Sequence, residues 1–393
     1  MRDVAIIGVG MHRFGKHLDK SLKDLGREAI WGAIDDAGID PGLIGCAYVG
    51  NSLAGLLTGQ EGIRGQVILH DAGIDEIPVV NVENACASAT TALRGAWLEV
   101  AAGTCDVALA VGVEKMFVGD TARSLAALAS DSEDELATMG MQFSATYAAH
   151  PKYNLRGRMD EYGWTAEDYA EVVVKNSRHG SLNPYAQHQR ALSAAEVLAS
   201  PMISEPLTLY MCSSIGDGAA AAIVCSRERA AALSDAIPIT IAAAKLRSGH
   251  LFTSDEDSYS SLREMVTELY EDAGIGPDDL DVLEVHDAMA PVELLVYESL
   301  GLCGPGEGPK LIRDGTTAIG GRHVVNPSGG LTSRGHPVGA TGLGQIAELV
   351  WQLRGQAGVR QAKERPLTAL AHNQGGLLAS MDSAAYALTL LTR

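Results

Sequence analysis

Aromatic side chains make up only 5% of this 393-residue chain, and its 30 lysines and arginines are outnumbered by 49 aspartates and glutamates. The net charge of −19 excludes nucleic acid or an anionic membrane as the main partner, because either demands a basic face. Any phosphate-bearing ligand must then be held by a local basic cluster. Cysteine is sparse as well: residues 46, 86, 105, 212, 225 and 303, with no C-x-x-C spacing of the kind that holds a metal. No metal site is therefore expected, and a reducing cytoplasm is the natural compartment. No signal peptide or membrane segment is expected either, since the chain runs directly into Val4-Ala5-Ile6-Ile7-Gly8-Val9-Gly10. That strand-then-glycine pattern lacks the third glycine of a dinucleotide fingerprint.

What is present in quantity is small and apolar: 46% hydrophobic residues and 44 glycines, the composition of a helix-and-sheet protein with many tight turns. The length exceeds one ordinary core, so two domains are the default. An internal repeat locates them. A helix over Ser21 to Asp36, the turn Asp36-Ala37-Gly38-Ile39-Asp40-Pro41 and a strand over Cys46 to Gly50 reappear later. The second copy is a helix from Ser261, the turn Asp272-Ala273-Gly274-Ile275-Gly276-Pro277 and a strand over Val282 to Val285 ending in His286. Two duplicated halves follow, residues 1–232 and 236–393, each alternating strands with helices and each expected to build a mostly parallel sheet. The first half carries an insertion at about 115–215 with Phe117, Phe143, Tyr147, Tyr153, Tyr162 and Trp164. These aromatics either wall a pocket or pack a cap and a dimer edge.

Chemistry concentrates at two corresponding places. Asn84-Ala85-Cys86-Ala87-Ser88-Ala89 opens a helical run in which Ala85, Ala89, Ala92, Leu93, Ala96, Trp97 and Val100 recur at three- and four-residue steps. Cys86 then lies in a first turn, where free amides and the helix dipole lower a thiol pKa. On spacing alone it is either such a nucleophile or a buried small residue. In the second half, Gly335-His336-Pro337 precedes an equivalent helix. Matching helix starts in a pseudo-twofold protein face each other, which would bring thiol and imidazole together across 250 residues.

Around that histidine the chain reads Asn326-Pro327-Ser328-Gly329-Gly330-Leu331 and then Gly335-His336-Pro337-Val338-Gly339-Ala340-Thr341-Gly342. Here the sequence resembles the thiolase family, whose motif Gly-His-Pro-x-Gly-Ala-Thr-Gly it matches without a mismatch. The likeness runs from the first strand to His372-Asn373-Gln374-Gly375-Gly376. It is strongest to the branch of sterol-carrier-protein-type thiolases and their bacterial and archaeal relatives. Lys175-Asn176-Ser177-Arg178-His179, Asn183-Pro184-Tyr185, Asp217-Gly218 and His286-Asp287 support it.

The resemblance implies a five-layered α/β/α/β/α fold with pseudo-twofold halves. It implies Cys86 as the acyl-accepting nucleophile, His336 as its activator and His286 in the same pocket, with His372, Asn373, Gly375 and Gly376 forming an oxyanion hole. The reaction implied is thiolytic cleavage of a 3-oxoacyl-CoA or the reverse Claisen condensation, with coenzyme A as co-substrate and no bound cofactor. A second acid/base cysteine of the family is missing, its places holding Ala288 and His372-Asn373. Retro-aldol cleavage of an acyl-CoA side chain, or a non-catalytic scaffold, is therefore kept as an alternative. Small Ala288 and Ala290 leave room for a branched, aromatic or steroid-derived acyl group, and Lys245, Arg247, Arg322 or Arg334 are candidates for the CoA phosphates. A homodimer through the first halves is implied, as is a small zinc-ribbon and OB-fold partner subunit.

Overall fold

The computed structural model describes residues 1–134, 136, 155–250, 259–380 and 382–393. Phe143, Tyr147 and Tyr153 of the insertion lie outside the described residues. Twelve strands are present among those described. In chain order they are β1 (Val4–Met11), β2 (Cys46–Gly50), β3 (Val79–Val82), β4 (Val107–Glu114), β5 (Met202–Ser204), β6 (Leu207–Thr208), β7 (Gly218–Ser226), β8 (Ile239–Arg247), β9 (Val282–Glu284), β10 (Val324–Val325), β11 (Thr368–Gly375) and β12 (Ala385–Thr392).

Ten of them form one sheet in the order β10-β9-β11-β12-β8-β1-β7-β4-β2-β3, and β5 pairs with β6 apart from it. Outward from the centre, the first half reads β1, β7, β4, β2, β3 and the second β8, β12, β11, β9, β10. The pairings correspond one to one: β2 is parallel to β3 and β4, as β9 is to β10 and β11, whereas β7 and β12 are antiparallel to both neighbours. Four strands of each half thus share one direction. The expectation of a mostly parallel sheet needs one correction, because the last long strand of each half slots in reversed between the first and the third. The halves join where β1 meets β8, through the pairs Ala5 with Thr240 and Ile6 with Ile239.

The repeated turns have a local cause. Helix α1 (Leu22–Ala37) starts with a capping box between Ser21 and Asp24 and ends at Gly38, whose φ of 65° suits a residue without Cβ. Leu22, Leu25, Ala29, Ile30, Ala33 and Ile34 put its apolar face on the sheet. Helix α2 (Arg64–Ala72) packs beside it. Between the half-sheets lie α3 (Ser88–Ala102) and α7 (Thr341–Arg354). The first packs on β4 and β2 and reaches β8 and β12; the second packs on β11 and β9 and reaches β7 and β1. On the far side α5 (Ser260–Ala273) covers β8 and β12, again ending at a left-handed glycine, Gly274. The result is five layers, helix, half-sheet, helix pair, half-sheet, helix, with apolar cores on either side of each half-sheet.

The insertion crosses over to the second half. Its helix α4 (Ala166–Gly180) packs on α6 (Ala290–Ser299), and its side chains grip the Asn326 to Gly330 loop: His179 Nδ1 donates to Asn326 O at 2.9 Å and Asn183 Nδ2 to Ser328 O at 2.8 Å. Lys175 pairs with Glu293. Among the described residues, no helix is long and apolar enough to cross a membrane.

Gly8 and Gly10 serve this packing rather than a nucleotide. A Cβ on Gly8 would lie 2.2 Å from Ala33 O and 2.6 Å from Ala37 Cβ, so α1 sits directly on β1 only because the strand has no side chain there. Gly8→Ala is expected to lower unfolding free energy by about 1–3 kcal/mol, measured by urea titration, with the titration slope unchanged.

Candidate active site

Cys86 sits in a single 3₁₀ turn, Ala85–Ala87, between β3 and α3. The neighbouring sequence builds that turn. Ala85 takes φ 48°, an uncommon conformation for a residue with a Cβ, and Ser88 holds it by accepting from Asn84 N at 2.9 Å and donating to Ala85 O at 2.7 Å. From the other half, the end of β11 presses against the turn. A Cβ on Gly375 would lie 2.3 Å from Asn84 O and 2.8 Å from Cys86 N, so only glycine permits the approach.

His336 follows Gly335, whose backbone (φ 108°, ψ 163°) suits glycine, and precedes the turn Val338–Ala340 that leads into α7. Its Nε2 lies 3.2 Å from Cys86 Sγ and its Nδ1 lies 2.7 Å from Thr341 Oγ1. The Thr341 hydroxyl gives its own proton to Pro337 O at 2.9 Å, so it accepts from Nδ1–H. That assignment leaves Nε2 as an acceptor facing the thiol.

The same reasoning fixes His286, which follows β9. Gln345 Nε2 donates to His372 O at 3.1 Å, which turns Gln345 Oε1 toward Asn373 Nδ2 at 3.2 Å. Asn373 Nδ2 therefore also donates to His286 Nδ1 at 3.3 Å, leaving the His286 proton on Nε2. His286 stands edge-on to His336 with ring centroids 5.1 Å apart. Cys86 Sγ and a ring nitrogen of each histidine lie within 4.8 Å of one another, so the trio could also hold a soft metal ion. His372 is fully buried and its Nδ1 accepts from His286 N at 3.4 Å.

Electrostatics correct one expectation. The Cys86 thiol is pushed well above its ordinary value, first by burial and then by the Asp131 and Glu114 carboxylates. Its place in a buried 3₁₀ turn, facing acids, outweighs the helix dipole. Burial, followed by the charge of Arg334, holds His336 down at about 3, and burial together with His336 and His372 holds His286 well below its ordinary value. Thiol and imidazole are thus both neutral before a substrate arrives.

The seam itself is clamped by Glu114. This buried carboxylate accepts from Ser52 N at 3.0 Å and from Asn51 Nδ2 at 2.9 Å in the first half, and from Gly339 N at 3.0 Å in the second. A cavity of about 1110 Å³ opens over Cys86, His336 and Gly376. Its walls include Phe117, Leu125, Leu209, Met289 and Leu377, with Ala288 among the small ones. Tyr162 and Trp164 do not line it, and Trp164 packs in the second-half core instead.

The basic residues expected at the CoA phosphates do not line this cavity. Lys245 and Arg247 point from β8 to the acidic stripe of α5, where they pair with Asp272 and with Glu264 and Glu268. Arg322 pairs with Asp278 on the surface. Arg334 is fully buried, 3.2 Å from Glu284, and its charge acts inward on the two histidines. Among the described residues, the lysine and arginine that line the cavity are Lys16, whose Nζ stands 4.7 Å over the Phe117 ring, and Arg190. Sequence reasoning missed both, along with Asp131 on the same wall, because all three lie in stretches without a motif.

A family model described as the thiolase N-terminal domain matches residues 4–228, and one described as thiolase C-terminal domain-like matches residues 244–387. The chain is 42% identical to an acetyl-CoA acetyltransferase of Methanothermobacter thermautotrophicus over 96% of its own length and 97% of the relative's. It is 40% identical to the benzoylsuccinyl-CoA thiolase subunit BbsB of Thauera aromatica over 95% of each. Among solved structures, the Ltp2-ChsH2(DUF35) aldolase superposes with a TM-score of 0.80 at 26% identity, covering 99% of this chain and 97% of that one. Human mitochondrial 3-ketoacyl-CoA thiolase shares the fold with a TM-score of 0.75 at 16% identity, over 100% and 98%.

Because burial raises the thiol pKa and lowers that of its partner, it opposes a preformed thiolate–imidazolium pair that would flatten the reactivity profile. Alkylation of Cys86 by iodoacetamide, followed by peptide mass spectrometry, should keep accelerating as pH rises beyond 8.5. A plateau near neutrality would contradict the neutral pair. Thr341→Val, which removes the acceptor for Nδ1–H, should slow the alkylation about tenfold at pH 8.

Proposed function

The chain belongs to the thiolase family, and from that premise we propose that it cleaves a 3-oxoacyl-CoA with coenzyme A, or runs the reverse condensation, through an acyl group carried on Cys86. The observation that carries this reading is the 3.2 Å approach of Cys86 Sγ to His336 Nε2 at the floor of the cavity. As the thiol attacks the keto carbon, Nε2 takes its proton, so charge is created only in the transition state. The developing oxyanion is met by the Cys86 amide and the Gly375-Gly376 turn, and the enolate released from the C2–C3 cleavage by His286 Nε2–H and the imidazolium of His336. Coenzyme A then attacks the acyl-cysteine, and His336 returns its proton to the departing Cys86 sulfur.

The apolar wall and its small residue Ala288 suit a bulky acyl group, branched or aromatic. Lys16 and Arg190 are assigned to the CoA phosphates, since they are the lysine and arginine among the described lining residues. A homodimer through the first halves fits the edge strand β3, which exposes Val80. A small partner subunit of the zinc-ribbon and OB-fold type fits the name of BbsB as a subunit and that of Ltp2 with a DUF35 protein. Six free cysteines suit the cytoplasm.

The aldolase likeness, together with the missing second cysteine, favours a second reading, retro-aldol cleavage of a 3-hydroxyacyl-CoA. Cys86→Ala separates the two. Under the thiolase reading it should cut turnover of 3-oxoacyl-CoA by roughly 10³-fold or more and abolish the acyl adduct that intact mass spectrometry detects on the wild type. A variant that still releases a ketone or aldehyde without coenzyme A supports the aldolase. Lys16→Glu should raise KM for coenzyme A about tenfold with little change in kcat, read from initial rates.

A further inference from the structure

The reaction requires a proton at C2 of the released enolate, and the places where the family keeps a second cysteine hold Ala288 and His372-Asn373. His336 is occupied with the Cys86 proton, and His286 Nδ1 is tied to Asn373. The cavity supplies another group. Asp131 ends the turn Ala129–Asp131 and lines the same cavity as Cys86, His336 and Gly376. Its Oδ1 accepts from Ser52 Oγ at 2.8 Å, while its Oδ2 is closed off from solvent and has no partner. The backbone ties it to the second half: Leu377 N, just past the Gly375-Gly376 turn, donates to Asp131 O at 3.1 Å. An oxygen with no protein acceptor leaves the carboxyl proton uncommitted.

We propose that Asp131 is the acid and base for C2, giving its carboxyl proton to the enolate carbon in cleavage and removing it in condensation. This rests on the Cys86 acyl-enzyme reading. The proton balance closes over one cycle. Cys86 S–H passes its proton to His336, the C2–C3 electron pair takes a proton from the Asp131 carboxyl, and the S–C bond to the acyl group forms. When coenzyme A attacks, its S–H proton restores Asp131 and the His336 proton returns to Cys86 as the S–C bond breaks.

The charges around Asp131 suit this role. Burial raises its carboxyl to about 7, with Glu114 and Glu83 adding to the rise and the Ser52 hydroxyl opposing it. An acid with that value exchanges protons readily near neutrality. The Asp131 carboxylate also opposes the Cys86 thiolate. Its protonated form therefore favours the nucleophile and carries the proton in one state.

The experiment compares wild type with Asp131→Asn, which keeps the shape and an acceptor for Ser52. Acetyl-CoA and butyryl-CoA are incubated in D₂O; acyl-enzyme is read by intact mass and C2 deuterium by mass spectrometry of the recovered thioester. The expected result is that Asp131→Asn still acylates Cys86, because coenzyme A can leave as a thiolate, yet loses at least 100-fold in C2 exchange. Acylation doubles as the folding control, and a variant that fails to acylate is replaced by Asp131→Ser under the same criterion. Exchange within threefold of wild type in an acylating variant overturns the proposal, as does a wild type that acylates without exchanging. A wild type that does not acylate at all overturns the Cys86 reading and this one with it.

Discussion

A single carboxylate without a countercharge holds this molecule's working geometry. Glu114 ends β4 with its side chain wholly buried, and backbone amides from both halves satisfy it together with Asn51. A lysine ammonium as partner would act as a point charge and fix distance more than direction, whereas amide donors fix both. The carboxylate thereby sets the Asn51 to Leu53 segment, which holds Asp131 through Ser52, against the Gly339 turn, which follows His336. Two groups that line the same cavity are referred to one anchor. The β-ladder between the halves could not do this alone, since it comprises only two residue pairs.

The chemistry placed at that seam is uncharged before the substrate arrives. Thiol and imidazole are both buried, and desolvation acts on them in opposite directions, raising one and lowering the other. Arg334 deepens the effect on the histidines from inside the second half, where Glu284 keeps it in place. Burial works against storing a reactive thiolate. The protein stores oriented lone pairs and protons: Thr341 decides which nitrogen of His336 is free, and the chain of Gln345 and Asn373 decides which nitrogen of His286 carries hydrogen.

Much of this was legible in the sequence, for definite reasons. The duplicated turns around Gly38 and Gly274 are local: a left-handed glycine ends a helix wherever it occurs, so both halves and their alternation of helix and strand could be read directly. The octet from Gly335 to Gly342 and the small residues around Cys86 identify surfaces where backbones nearly touch. What could not be read depends on contacts remote in sequence. The helix start at Cys86 suggested an acidic thiol, because the surrounding carboxylates come from Glu114 and the insertion. Lys245 and Arg247 looked available for phosphate, because nothing local announces that α5 presents Glu264, Glu268 and Asp272 to them. Asp131 and Lys16 carry no motif; only the folded cavity brings them to Cys86.

The near-symmetry of the halves has a consequence for how such a centre arises. The Cys86 turn and the His336 loop each lead into an inner helix, and they touch across the twofold seam. The residues that meet are not the corresponding ones, since Cys86 lies two positions before Ser88 and His336 five before Thr341. In an assembly of two identical copies the same contact would therefore occur twice, once on each side of the axis. A fused chain is free of that repetition, so one pocket can carry the chemistry while the equivalent place in the other half serves packing alone.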